Sequence, residues 1–347
     1  MRYTTLGRTE LRVSNFCLGT MTWGTQNSDA EAFQQIDYAL DQGVNFLDTA
    51  EMYPTTPLSA GTSGETERII GRWFAKTGRR EEVVLATKIV GAGNRTAGRD
   101  GAPIGPATLR LALDDSLRRL GTDRVDLYQL HWPNRGSYHF RRDWTFAPEE
   151  QPRGQAEEML AILETLGELT REGKIRAVGL SNESAWGTAT YLRLAEAHGL
   201  PRIASIQNEY SLMCRSFDLD LAELCHHEDV GLLAYSPLAA GLLTGKYAGG
   251  ARPAGSRATI NGDLGGRISV HSEPVAEAYV AIARRHGLDP AQMALAFAAA
   301  RPFMASVIIG ATSMEQLRTD LGAADVTLPA EVLRDIAALR RRHPRPL

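Results

Sequence analysis

An α/β chain whose eight strands close into a (β/α)8 barrel, the TIM-barrel architecture, is predicted by two observations. Short apolar runs alternate with segments of helical apolar spacing, and there are eight of these runs. The length agrees, since 347 residues lie within the range of one complete barrel. Residues 1–347 are therefore read as one domain, with no composition shift that marks a boundary. An open doubly wound sheet is the alternative that the same alternation permits.

The elements follow in order. Tyr3 to Val13 reads as a hairpin turning at Leu6-Gly7-Arg8, outside the eight-unit count. The strands are Asn15 to Gly19, Asn45 to Asp48, Val83 to Lys88, Val125 to His131, Ala177 to Ser181, Ala204 to Asn208, Gly231 to Tyr235 and Ser306 to Gly310. After the first strand Phe33, Ile36 and Leu40 share a helical face; Ser28 and Glu31 have capping-box spacing, and Gly43 supplies the stop. The third helix carries Leu109, Leu113, Leu117 and Leu120 on one stripe and ends before Gly121. Pro329 to Arg342 adds a C-terminal helix. Three connections break the rhythm: Thr55 to Gly64, Pro133 to Gly154 and Leu238 to Ser272. All three follow strands, which in a barrel puts them on the C-terminal face, where the βα loops build the site.

With 43% hydrophobic and 23% charged residues and a net charge of -3, the chain has material for a large core. It has no charge excess to attract nucleic acid or a membrane surface. Cys17, Cys214 and Cys225 form no paired framework, the start has no signal-peptide pattern, and no apolar run approaches the roughly 20 residues of a membrane span. A cytoplasmic protein is expected. Its oligomeric state is not set by any of these features.

Four ionisable residues stand at or just beyond the ends of consecutive strands: Asp48 and Tyr53, Lys88, and His131. On a barrel these positions converge. Tyrosine is a poor acid at neutral pH, so a site that uses one must favour its ionised form. An ammonium about 4 Å away is worth about 4 kcal/mol at an effective dielectric near 20, enough to lower a pKa by about three before desolvation is subtracted. Lys88 is expected to supply that charge, Asp48 to keep it protonated, and His131 to orient a carbonyl oxygen or donate the proton. Singly, an Asp or Lys ending a strand is more often a solvated loop-proximal residue or a surface ion pair than a catalytic group.

The stretches GTMTWG (19–24), FLDTAEMY (46–53), ATK (86–88), YQLHWP (128–133), GLSN (179–182), IQNEYS (206–211), AYSPLAAGLLTGKY (234–247) and IIGATSMEQL (308–317) occur in an order that resembles the aldo-keto reductase superfamily. The likeness is to the branch holding the Tas-type bacterial reductases and the voltage-gated potassium-channel β subunits. It implies that Asp48, Tyr53, Lys88 and His131 are the catalytic tetrad, with Tyr53 as proton donor in hydride transfer from nicotinamide to a small-molecule aldehyde or ketone. As an alternative it allows a redox-sensing regulatory subunit that acts through a protein partner.

The usual dinucleotide fingerprint is missing; Gly91 to Thr96 lacks the third glycine and opens no helix. The resemblance implies a cofactor extended over the barrel mouth, touching Gly19, Thr20, Met21 and Asp48. Ser181, Asn182 and Gln207 would hold the carboxamide and Tyr235 would stack on the ring. Ser236, Leu238, Gly241, Lys246 and Arg257 would meet the pyrophosphate, and Gly310, Thr312, Gln316 and Asp320 the adenosine end. NADPH is expected in preference to NADH, with Arg318 a possible basic partner where Ala311 and Gln316 are neutral. Trp23, Met52, Tyr53, His131 and Trp132, with Tyr138 more weakly, are the candidate substrate walls. Cys225, His226, His227 and Glu228 are consecutive on a helix and point apart, so no metal is expected.

Overall fold

The computed structural model describes residues 1–347. Eight parallel strands form a closed barrel: β3 (Phe16–Gly19), β4 (Phe46–Asp48), β5 (Val84–Ile89), β6 (Val125–Leu130), β7 (Ile175–Ser181), β8 (Ile203–Glu209), β9 (Gly231–Tyr235) and β10 (Met304–Ile309), the last pairing back onto β3. Before them, β1 (Tyr3–Thr5) and β2 (Arg12–Ser14) pair antiparallel as the predicted hairpin. Closure excludes the open sheet. The strand ends fall close to their predicted places; β7 begins two residues early because Arg176, which breaks the apolar run, is exposed and reaches across to Asp126 at 2.8 Å.

The helices are α1 (Asp29–Asp41), α2 (Glu65–Thr77), α3 (Pro106–Leu120), α4 (Gln155–Arg171), α5 (Ala185–His198), α6 (Asp220–Glu228), α7 (Arg257–Asn261), α8 (Ser272–Arg285), α9 (Pro290–Ala299), α10 (Met314–Gly322) and α11 (Ala330–Arg342). The Ser28–Glu31 capping box of α1 forms, but its buried stripe is Ala32, Gln35, Ile36 and Ala39, while Phe33 and Leu40 are only half-buried. The small alanines let α1 approach the strands, and the larger residues flank the contact. On α3 the predicted leucine stripe is buried and Gly121 closes the helix in the left-handed conformation. Three helices, the short α7 with α8 and α9, separate β9 from β10, so α11 is not the sole addition to the eight βα units.

The barrel interior is apolar at its N-terminal end, where Cys17, Phe46, Ala86, Leu127, Ala177, Ala204, Leu233, Ala305 and Ile308 pack with Leu6, Leu11 and Val13 of the hairpin. The hairpin therefore plugs the lower mouth. Gly7 makes the plug possible: its φ is +58°, and a Cβ there would lie 2.6 Å from the Ala204 carbonyl oxygen. Polar side chains begin only at the upper ends of the strands. No helix is long and apolar enough to cross a membrane.

Candidate active site

The strand register explains why four residues far apart in sequence meet. Asp48 is level with Ala86 and Gly19, and Lys88 with Gln129, so β4, β5 and β6 present Asp48, Lys88 and Gln129 to the barrel interior at neighbouring levels. Lys88 is fully buried and its Nζ donates to Asp48 Oδ2 at 2.6 Å, to the Thr49 carbonyl at 2.8 Å and to Tyr53 Oη at 3.4 Å. Asp48 Oδ1 accepts from Gln129 Nε2 at 3.0 Å and Gln207 Nε2 at 2.8 Å. The carboxylate is thus saturated on both oxygens. Tyr53 follows β4 on a turn, and its ring stands nearly perpendicular to that of His131, centroids 5.9 Å apart. His131 lies just past the end of β6, with Nδ1 buried and without a hydrogen-bond partner.

Protonation follows from these surroundings. Burial opposes the charge on Lys88, but the Asp48 carboxylate and the Tyr53 oxygen hold its pKa above the ordinary lysine value. His131 is pushed well below the ordinary histidine value by burial and by the Lys88 charge, so it is neutral at pH 7. Tyr53 departs from expectation. Burial raises its pKa more than Lys88 lowers it, with Asp48 adding to the rise. Desolvation is the larger effect, and the tyrosine is a neutral phenol.

The candidate nicotinamide residues are tied to one another. Asn182, left-handed at φ +53°, donates from Nδ2 to the His131 carbonyl at 2.9 Å and accepts the Tyr235 hydroxyl at 2.7 Å. Ser181 Oγ donates to the Gln207 carbonyl at 2.8 Å. Thr20, just past Gly19, gives its hydroxyl to the Asp48 carbonyl at 2.9 Å, and Met21 beside it is half-buried. Further along the mouth, Ser236 accepts a long bond from Arg267 (3.4 Å), and Leu238 is half-buried. Gly241 has φ +100°, and a Cβ on it would lie 2.6 Å from Lys246 Cε. Past Gly310, Gln316 Oε1 accepts from the Thr312 amide and hydroxyl at 3.0 and 3.1 Å. Asp320 on α10 is buried and, through burial, its pKa is raised to about 7. Arg318 lies over the Tyr38 ring on α1, 5.6 Å from its centroid.

Arg257 is the cation that fits an anionic ligand. It sits at the N-terminus of α7, partly buried, with its Nε lacking a partner, and burial together with Arg267 lowers its pKa to about 10. Its neighbour Arg267 is neutralised: Nε donates to Glu209 Oε1 at 2.8 Å, while Arg141 bonds Glu209 Oε2 at 2.7 Å. Burial works against ionised Glu209, yet the two guanidiniums keep its pKa below the ordinary carboxylate value. Glu209, Arg141 and Arg267 were not singled out in the sequence. Glu209 stands in IQNEYS, but its partners come from two long loops that carry no periodic signal.

Among the pocket residues, Trp132 is pinned by Nε1 to the Ala92 carbonyl at 3.1 Å and packs against His131 (5.0 Å between centroids) and Phe140 (6.2 Å). Met52 clusters with Ala50 and Val90 beside Tyr53 and Trp132. Tyr138 packs within its own loop on His139 and Phe146. Trp23 is fully buried, its indole N–H on Gln35 Oε1 of α1 at 3.0 Å. The Gly91 region also has an explanation unrelated to dinucleotides: a Cβ at Gly91 would lie 2.3 Å from Trp132 Cδ1.

Eight strands, this convergence of charge and the motif order are found together in one known class. Residues 15–341 match the aldo/keto reductase family. The chain is 47% identical over 346 residues to Protein tas of Escherichia coli, covering 98% of each chain. It is 35% identical over 337 residues to the uncharacterized oxidoreductase YrpG of Bacillus subtilis, covering 96% of this chain and 94% of that one. An aryl-alcohol dehydrogenase of Pestalotiopsis microspora is 28% identical, with 94% of this chain and 78% of the relative covered. The chain belongs to the aldo/keto reductase family and is an oxidoreductase.

Proposed function

We propose that the protein reduces aldehydes or ketones to alcohols with NADP(H), and that Tyr53 is the proton donor. The observation that carries this reading is the Asp48–Lys88–Tyr53 relay at 2.6 and 3.4 Å, set beside a neutral His131 at one end of the barrel. The bound nicotinamide would supply the hydride. Gly19, Thr20, Met21, Asp48, Ser181, Asn182, Gln207 and Tyr235 would surround the nicotinamide. Ser236, Leu238, Gly241, Lys246 and Arg257 would meet the phosphates; Gly310, Thr312, Gln316 and Asp320 would meet the adenosine. Arg257, a partly buried guanidinium without a carboxylate partner, fits the pyrophosphate that NADH and NADPH share. The preference for NADPH over NADH would be decided at the adenosine end, where Arg318, lying over the Tyr38 ring, is the basic residue of α10.

A carbonyl oxygen placed between Tyr53 Oη and the His131 ring would gain negative charge as hydride arrives at carbon. Tyr53, held as a phenol by burial, has a proton to give, and Lys88 stabilises the phenolate left behind. Donors aimed at a developing oxyanion are often the largest catalytic contribution. Trp132, Met52 and Phe140 offer apolar walls, which suits an aromatic or aliphatic carbonyl of modest size. The test is fluorescence titration with NADPH and NADH followed by an aldehyde and ketone screen. Tighter NADPH binding that Arg257→Met weakens, with turnover of at least one aldehyde, is the expected outcome; no cofactor binding, or equal affinity for both cofactors, contradicts it.

A further inference from the structure

Beyond β7 the chain turns through Ser181-Asn182-Glu183-Ser184 before α5, and this turn carries a charge that the proposed chemistry does not use. Glu183 is buried, and its carboxylate is gripped by both terminal nitrogens of Arg135, one at 3.1 Å and the other closer. Arg135 is buried as well, 5% exposed at the side chain, and its guanidinium lies 4.9 Å over the Trp186 ring. The Glu183 main chain is held just as firmly. Its carbonyl accepts from Asn208 Nδ2 at 3.0 Å and meets His139 Nε2 at 3.1 Å, and its N–H reaches Asn208 Oδ1 at 3.3 Å.

Two features tie this pair to the site. Arg135 is four residues after His131, and Glu183 directly follows Asn182, whose amide already spans the His131 carbonyl and the Tyr235 hydroxyl. The β6 and β7 ends are thus joined twice, once at the site and once behind it. Room has also been left for the second joint. A Cβ on Gly187, in the first turn of α5, would lie 2.2 Å from Glu183 Oε1 and 2.4 Å from Arg135 Nη2. The Gly187 φ is not in the left-handed region, so it is the ion pair and not the helix that excludes a side chain there.

A buried ion pair is a weak source of stability, because desolvation offsets the attraction, but it fixes geometry through two parallel bonds. We propose that Arg135 and Glu183 are positioning residues: their pair sets the Asn182 turn and, through it, the His131 main chain and Tyr235, so that hydride transfer occurs from a fixed ring. The proposal rests on the reductase reading above. It does not require either residue to touch substrate or cofactor.

The experiment compares wild type with Arg135→Met, Glu183→Gln and the double variant, using an aldehyde the wild type reduces and NADPH carrying deuterium at both C4 positions. A misplaced ring slows the hydride step itself. Each single variant is expected to lose at least tenfold in kcat with a larger deuterium isotope effect on kcat and an altered KM for NADPH, and the double variant to lose no more than the worse single. Loss of folded protein alone would lower kcat while leaving KM and the isotope effect at wild-type values, and that result overturns the proposal. So does kcat within twofold of wild type. Should a charge-removing variant fail to fold, Gly187→Ala disturbs the pair with both charges kept; it is expected to show the same isotope signature, and wild-type kinetics there overturn the proposal. A wild type that oxidises no NADPH with any carbonyl instead overturns the reductase reading itself.

Discussion

Tyr53 and Lys88 are set against each other by burial. Dehydration favours the neutral forms of both, while their mutual approach and Asp48 favour a charged lysine, and the outcome is a phenol beside an ammonium. Lys88→Met therefore leaves Asp48 buried without its counter-ion. A loss of about 3–5 kcal/mol in unfolding free energy is expected from urea titration, with turnover falling at the same time; stability within about 1 kcal/mol of wild type would contradict the buried-pair account. His139 gives a second prediction. Burial lowers its pKa to about 4, opposed by its contact with the Glu183 carbonyl. A histidine with a depressed folded-state value contributes stability that is present above its unfolded value near 6.5 and is lost as pH falls from there towards about 4. That contribution is on the order of 3 kcal/mol, so His139→Gln should show a shallower loss of Tm than wild type across this window. Parallel curves would show that His139 is not the group responsible.

Helices and strands were legible where periodicity or capping chemistry is local. The α3 stripe, the Ser28–Glu31 box and all eight barrel strands follow from it. Legibility failed where an acceptor elsewhere in the chain decides the outcome. Nothing near residue 23 announces the Gln35 acceptor that holds its indole, and nothing near residues 135 or 141 announces the carboxylates they find on β7's turn and β8's end. The convergence of Asp48, Lys88 and His131 was legible because they sit at or just past strand ends, whose spacing a barrel fixes; the Tyr53 pKa was not, since Tyr53 lies on the turn after β4 and its desolvation depends on how completely the loops cover it. At this scale Gly91→Ala is informative. The added methyl would overlap Trp132, so KM for the carbonyl should rise about tenfold or more while NADPH affinity stays near wild type. Unchanged KM would mean that Trp132 does not line the pocket.

Taken whole, the molecule separates its tasks between the two ends of one barrel. The hairpin closes the lower end with apolar side chains, and the upper end gathers the charge: Asp48 and Lys88 at the centre, Glu183 with Arg135 on one side, Glu209 with Arg141 and Arg267 on the other. Those outer pairs tie the 133–154 and 238–272 loops to the upper ends of β7 and β8. The central claim is that Tyr53 delivers the proton, and Tyr53→Phe tests it most directly because it removes one oxygen and leaves the ring. With NADPH and a reducible aldehyde, kcat should fall by about 10²- to 10⁴-fold while NADPH affinity remains within a few fold of wild type. Turnover at the wild-type rate would contradict the account.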